Sequence, residues 1–268
     1  MSPEKEIHSG ASLSRIVDFL DEILQTSTTP DYPGALNGLQ LSNRSGRITK
    51  VAAAVDFSTQ TIKAAIDAHA NLLIVHHGMF WKGLQPIVGR THTQLSDLID
   101  ADVAVYASHL PLDRHPQLGN NVLLAKTLGL EPSAEFARFK EIFIGVQGTA
   151  DIPTSVLIER AQLFSRSNGG EAIATGRIES DQETRRWAIC TGSGASAETL
   201  AEATQDRIDT LIVGEGPHWT AVDALERGVT IIYVGHYASE TLGVYALANE
   251  ISQQFGVDFA RISAPTGL

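Results

Sequence analysis

Short runs of aliphatic residues alternate with helical patterns along most of the chain. The first half reads as strand 48–56, helix 59–70, strand 71–77, helix 91–102 and strand 103–109. β-branched and aliphatic runs predict strands, and apolar residues that recur every three or four positions predict helices. This alternation is typical of βαβ units, so the pattern predicts an α/β fold with parallel or mixed sheets flanked by helices.

A break in this rhythm divides the chain. A helix is predicted over 120–130, with Asn120 or Asn121 as its N-cap and Gly129 as its stop. Residues 131–140 then show no clear periodicity, before the alternation of strands and helices resumes. The sequence therefore predicts two related α/β lobes.

We place the lobe boundaries at this break and before the closing helix predicted over 240–255. Residues 1–130 and 235–268 would form the first lobe, which carries most of the candidate ligands, and residues 131–234 the second. The two are expected to make one compact unit overall.

Composition narrows the classes of protein that this chain can be. Its 268 residues are 43% hydrophobic and carry a formal charge of -11, which repels nucleic acid phosphates. No run reaches the ~20 apolar residues of a membrane span, and the N-terminal residues lack the apolar core of a signal peptide. The single Cys190 cannot form an intramolecular disulfide. We expect a cytoplasmic protein that binds neither membrane nor nucleic acid.

Several predicted strands end in histidine. His76 and His77 close the strand 71–77, His109 closes 103–109, and His236 follows the aliphatic run 230–234. In open α/β sheets, ligands bind at the carboxyl ends of strands, and we expect these three strands to bring imidazoles to one sheet edge. Imidazoles gathered at one place favour a metal site.

Two carboxylates complete this candidate set. Asp113 lies four residues after His109, and Glu240 lies four residues after His236, which on a helix puts His236 and Glu240 on one face. Neighbouring residues of a strand point to opposite sides, so His76 and His77 should address two points in space, and two metal ions satisfy that geometry better than one.

The remaining histidines are given other roles. We assign structural roles to His8, His69, His92 and His115. The roles assigned to His109 and His218 are contacts with the substrate or with the metal ligands.

A glycine-rich turn offers a competing interpretation. Gly192, Gly194 and Ala197 follow a predicted strand in the G-x-G-x-x-A pattern of dinucleotide sites, and Glu215 lies near the distance expected for a ribose contact. Any tight turn from strand to helix recruits glycine, however, and this reading leaves the histidines unexplained. We keep the turn as a candidate phosphate contact.

Three segments of the chain carry a family resemblance. "HHGMFWKG", "YASHLPLDRHPQLGNNVLLAKTLGL" and "VGHYASETLG" resemble the Nif-three-like dinuclear metal-centre family, also called GTP cyclohydrolase 1 type 2 homologues. The resemblance implies that His76, His77, Asp113, His236 and Glu240 hold two divalent ions, with His109 close by. It also implies a metal site in the cleft between two lobes and a ring-shaped homohexamer.

These features lead to two hypotheses of function. In the first, the protein is a metal-dependent hydrolase of a small phosphate-bearing or nucleotide-like molecule, which is attacked by a metal-bound hydroxide while His109 relays a proton. In the second, it is a non-catalytic metal-handling or regulatory protein. Mixed imidazole and carboxylate ligands suit zinc, iron, manganese, cobalt or nickel. The acidic ligands neutralise only part of the charge of two ions, so an anionic substrate is expected, with Lys82 nearby.

Overall fold

The protein has a mixed α/β fold, seen in a computed structural model that describes residues 10–176 and 178–268. The strands are β1 (Ala11–Ser12), β2 (Gly38–Leu41), β3 (Arg47–Ile48), β4 (Lys50–Asp56), β5 (Leu72–His77), β6 (Ala104–Ala107), β7 (Ala134–Phe139), β8 (Ile142–Pro153), β9 (Ile173–Gly176), β10 (Glu183–Cys190), β11 (Thr210–Val213), β12 (Thr230–Tyr233) and β13 (Asp258–Arg261). The helices are α1 (Leu13–Ile23), α2 (Thr59–Asp67), α3 (Gly89–Asp100), α4 (Leu110–Asp113), α5 (Asn120–Thr127), α6 (Thr154–Ser167), α7 (Ala197–Gln205), α8 (His218–Arg227) and α9 (His236–Phe255).

These elements form two compact units. Unit 1 comprises residues 10–109 and Val244–Ala264, and unit 2 comprises Leu110–Gly243 and Pro265–Leu268. The sequence placed residues 110–130, 235–243 and 265–268 in the first lobe, whereas the structure groups them with unit 2. None of the described helices combines the length and the apolar character needed to cross a membrane.

Unit 1 is built on a five-stranded sheet in the order β13-β4-β5-β6-β2. Strands β13, β4, β5 and β6 run parallel, and β2 pairs antiparallel with β6. Because aliphatic side chains fill β4 and β5 almost without interruption, these central strands are buried on both faces, as parallel strands between helices require. The sheet thereby brings the carboxyl ends of β4, β5 and β6 side by side.

Unit 2 is built on a six-stranded sheet in the order β7-β8-β10-β11-β12-β9. Strands β10, β11 and β12 run parallel, and the outer strands pair antiparallel. Alternation along β10 sends Trp187 and Ile189 into one core, and Ala188 and Cys190 into the other. Each face of the sheet therefore carries its own hydrophobic core, and the predicted α/β class is confirmed.

The observed elements agree with the predicted ones at some boundaries and differ at others. Gly129 ends its helix as predicted, with a φ of +74° that suits glycine. The N-cap of α5 is Gly119, and neither predicted asparagine caps it. Residues Ala134–Phe139, which showed no periodicity, form β7.

Candidate metal centre

Two neighbouring parallel strands of unit 1 position three histidines. His76 and His77 are the last two residues of β5, and His109 follows the end of β6 by two residues. The parallel register that pairs Val75 with Ala107 brings these strand ends together. The structure therefore confirms that the carboxyl ends of these two strands deliver imidazoles to one place.

Each of these imidazoles is held through its Nδ1 atom. The Nδ1 of His76 lies 2.8 Å from the carbonyl oxygen of Ser108, that of His77 lies 2.9 Å from Oδ1 of Asp56, and that of His109 lies 2.9 Å from Oδ1 of Asp31. Carbonyl and carboxylate oxygens only accept hydrogen bonds, so each Nδ1 donates. In neutral imidazoles this tautomer leaves Nε2 with a lone pair, the form in which histidine binds metal.

The three rings form a tight cluster. Ring centroids of His76 lie 4.9 Å from those of His77 and His109, and those of His77 and His109 lie 5.7 Å apart. Their candidate ligand atoms all lie within 4.8 Å of one another. Metal–nitrogen bonds are ~2 Å long, so this spacing fits a divalent ion between imidazoles.

The buried carboxylate of Asp31 orients His109 through several contacts. Its Oδ2 accepts from Nδ2 of Asn37 at 2.8 Å, and Oδ1 of Asn37 accepts from the backbone N–H of His109 at 2.7 Å. Burial alone would raise the pKa of Asp31, but hydrogen bonds from His109, Asn37 and the Tyr32 amide outweigh it, so the pKa lies below its usual value. Asp31 therefore stays ionised and fixes the ring of His109.

A second set of side chains lies at the start of α9 in unit 2. Nε2 of His236 lies 3.1 Å from Oε2 of Glu240, one helical turn away, as the sequence predicted. Nδ1 of His236 lies 2.8 Å from Oε1 of Glu215. Burial opposes the charged form of His236, but the carboxylates of Glu240 and Glu215 outweigh it and raise its pKa to about 9. A cation is therefore favoured between these two carboxylates, and a metal ion satisfies the same need.

Asp113 belongs to the same unit and is also buried. Its Oδ1 accepts from Nδ2 of Asn120 at 2.8 Å, and Oδ1 of Asn120 accepts from the backbone N–H of Gly243 in α9 at 2.7 Å. Asn120 thus ties Asp113 to the helix that carries His236 and Glu240. The sequence suggested a cap at Asn120, whereas the structure shows a support for a carboxylate.

The glycine-rich turn also belongs to this set. Gly192 has a φ of +62°, and a Cβ at this position would collide with Oε1 of Glu240. Its N–H already donates to Oγ of Ser239 at 3.0 Å. The glycine is therefore required by the close approach of Glu240, and its amide is not available to a phosphate.

Two sequence-based expectations about the histidines are wrong. His236 follows β12, which belongs to the six-stranded sheet, so three strands do not bring imidazoles to one sheet edge. His76 and His77 also do not diverge, because β5 ends at His77 and both imidazoles reach the cluster with His109.

The histidines outside the candidate set lie elsewhere. His69 and His92 are exposed, and Nδ1 of His115 accepts backbone N–H groups in a turn, which is the structural role predicted for His115. His218 is exposed at the start of α8, and His8 lies outside the described residues.

The fold and the site together define the class of this protein. It is a mixed α/β protein whose histidines and carboxylates have the geometry of metal ligands. The model of the family Duf34/NIF3 (NGG1p interacting factor 3) matches residues 11–266. The chain belongs to this family.

Similar proteins cover the whole chain. A "GTP cyclohydrolase 1 type 2 homolog" of Deinococcus radiodurans is 37% identical, over 100% of this chain and 99% of its own. One of Pyrococcus horikoshii is 39% identical, over 94% and 98%. A crystal structure from Thermus thermophilus has a TM-score of 0.82 and 31% identity, covering 96% of this chain and 100% of that one.

Proposed function

We propose that this protein is a metal-dependent hydrolase of a small phosphate-bearing or nucleotide-like molecule. The observation that carries the proposal is the cluster of three imidazoles, His76, His77 and His109, each fixed through Nδ1 by an oxygen acceptor. Imidazoles that bind metal in proteins are held in the same way, with the second ring N–H donated to a carboxylate or a carbonyl oxygen. The relatives are named as homologues of GTP cyclohydrolase 1 type 2, and this likeness supports a nucleotide-like substrate.

Five side chains are proposed to hold two divalent ions, of zinc, iron, manganese, cobalt or nickel. As the family resemblance implies, they are His76, His77, Asp113, His236 and Glu240. Such ions would supply Lewis acidity and lower the pKa of a bound water. Asp31 would stabilise a proton taken up by His109, which suits His109 to the proton relay assigned from the sequence.

Elemental analysis of purified protein tests the metal assignment. We expect two ions per chain after reconstitution, and loss of at least one in His77→Ala and in Glu240→Gln. His92→Ala is the matched control, because His92 is exposed on α3. Unchanged metal content in both site variants, with their folding intact, would refute the assignment.

The role of His109 is tested separately. If it relays protons, His109→Gln keeps both ions and loses turnover. If metal content falls in His109→Gln, His109 is a third imidazole ligand, and the proton relay must be assigned to another group.

Turnover separates the hydrolase from its rival. The metal-loaded protein should hydrolyse at least one member of a panel of nucleotides and sugar phosphates, and Glu240→Gln should abolish that activity. Readily exchangeable ions with no turnover on any member would instead support a metal-handling protein.

The proposed assembly is the ring-shaped homohexamer that the family resemblance implies. Light scattering should then give a mass near six times 28.8 kDa. A monomeric mass at micromolar concentration would refute this assembly.

A further inference from the structure

A cavity of about 460 Å³ opens beside His77 in unit 1. It is bounded by the end of β4 and start of α2, by the loop that follows β5, and by the first half of α3. A volume of this size is typical of sites for small molecules. Because His77 and Asp56 are among its lining residues, a ligand in the cavity would lie against the histidine cluster.

Three large aromatic residues lie among those that line the cavity. Phe57, Phe80 and Trp81 all line it. The indole of Trp81 has ring-centroid distances of 4.9 Å to His77 and 4.6 Å to His109, yet 40% of the residue is exposed. The exposed indole of Trp81 beside the cavity favours a planar ring, which stacks on it.

The charges of the cavity favour an anion. Lys82 and Arg90 line it, and neither forms an ion pair within 10–176 and 178–268. Asp56 is the carboxylate among the lining residues, and its Oδ1 is engaged by His77. In a chain of net charge -11, two cations that line one cavity without carboxylate partners are suited to a phosphate group.

We infer that this cavity binds the substrate through two subsites, a planar ring held by the aromatic wall and a phosphate held by Arg90 and Lys82. The inference rests on the proposed function and assigns its substrate a place. It also replaces the phosphate contact that the sequence suggested at Gly192, whose N–H is already donated to Ser239.

Equilibrium binding to metal-loaded protein tests the two subsites together. The probes are the four common nucleoside 5′-monophosphates, the matching nucleosides and ribose 5-phosphate, measured by calorimetry. At least one nucleotide should bind about tenfold or more tightly than both its nucleoside and ribose 5-phosphate, because only the nucleotide fills both subsites. Equal binding of nucleotide and ribose 5-phosphate would overturn the ring subsite, and equal binding of nucleotide and nucleoside would overturn the phosphate subsite.

Variants locate the ligand in this cavity. Arg90→Ala should weaken the nucleotide about 10- to 100-fold, as expected for loss of a charged hydrogen bond, and leave the nucleoside unchanged. Arg15→Ala is the matched control, since Arg15 is exposed on a helix of the same unit and does not line the cavity. Nucleotide should also quench the fluorescence of Trp81, and Trp81→Phe should remove this quenching while binding persists. No difference between Arg90→Ala and Arg15→Ala would overturn the inference.

The outcomes of the experiments distinguish a failure of the cavity inference from a failure of the proposed hydrolase activity. A nucleotide preference that depends on Arg90, without turnover, supports the cavity and refutes hydrolysis. Hydrolysis with a KM that Arg90→Ala leaves unchanged supports the hydrolase and overturns the cavity.

Discussion

Replacing Gly192 by alanine tests the close approach between the glycine-rich turn and Glu240. The residue has a φ of +62°, a conformation that costs side-chain-bearing residues about 1–2 kcal/mol. The added Cβ would also collide with Oε1 of Glu240 and lie 3.6 Å from Nε2 of His236. The substitution therefore perturbs the backbone and the candidate ligands together.

The second effect is the larger one, because Glu240 is confined. It is 3% exposed and lies 3.1 Å from His236, so its carboxylate cannot retreat without weakening that contact. A hydrogen bond to a charged group contributes about 1.5–3 kcal/mol. We expect Gly192→Ala to lower the free energy of unfolding of the metal-free protein by about 3–5 kcal/mol, and to weaken metal binding by at least about tenfold.

Gly46→Ala provides the matched control. Gly46 has the same φ of +62°, but its added Cβ would meet no atom within 4 Å. Urea unfolding of chelated protein gives the stability of both variants, and competition with a chromophoric chelator gives their metal affinity. Gly46→Ala should show only the backbone cost and normal affinity. Equal stability losses and unchanged affinity in both variants would refute the argument.

Two further predictions concern ionisable groups away from the proposed chemistry. Asp102 accepts hydrogen bonds from Ser45 and Arg44, chiefly from Ser45, and its pKa is lowered. Its carboxylate therefore adds stability above the unfolded pKa of ~3.9, which is lost as pH falls through the lower folded value. Urea unfolding should show Asp102→Asn to be less stable than wild type at pH 7, by a difference that shrinks as the pH falls below the unfolded pKa. Burial, aided by nearby carboxylates, raises the pKa of Cys190 to about 12. The thiol should therefore not react with Ellman's reagent at pH 8 until the protein is unfolded. Cys190→Ser should retain the metal content of the wild type.

The strands could be predicted where their pattern is regular. Continuous aliphatic runs such as Leu72–His77 predict buried parallel strands, and the structure contains them. Strand Ala134–Phe139 was missed because Phe136 and Ala137 are both buried and Ala137 has a φ of +59°. Two neighbouring inward residues break the alternation of period two on which strand prediction relies.

Some residues of the candidate site could be predicted from the sequence, and others could not. Histidines at strand ends are visible in the sequence. Those of β5 and β6 come together as expected, because these two strands are parallel neighbours. Asp56 could have been found, because it ends β4 and pairs in register with His77. Asp31 lies in a loop far along the chain from His109, so no local pattern connects them. His236 was assigned to the wrong sheet, because the order of strands across sheets is a property of tertiary structure.

The tautomer of each imidazole depends on atoms that a sequence motif does not show. Asp56 supplies a side-chain oxygen to His77, whereas Ser108 supplies only its main-chain carbonyl to His76. Asp56→Ala should therefore free the ring of His77 and weaken metal binding about 10- to 100-fold. Ser108→Ala should leave metal binding unchanged, because any residue at 108 provides that carbonyl.

Stability distinguishes these two variants as well. The buried hydroxyl of Ser108 makes no hydrogen bond to the described part of the chain, so its removal should be neutral or slightly stabilising. Chelator competition on both variants tests the argument. Weakened metal binding in Ser108→Ala, or full affinity in Asp56→Ala, would show that Nδ1 is not the atom through which the protein orients these ligands.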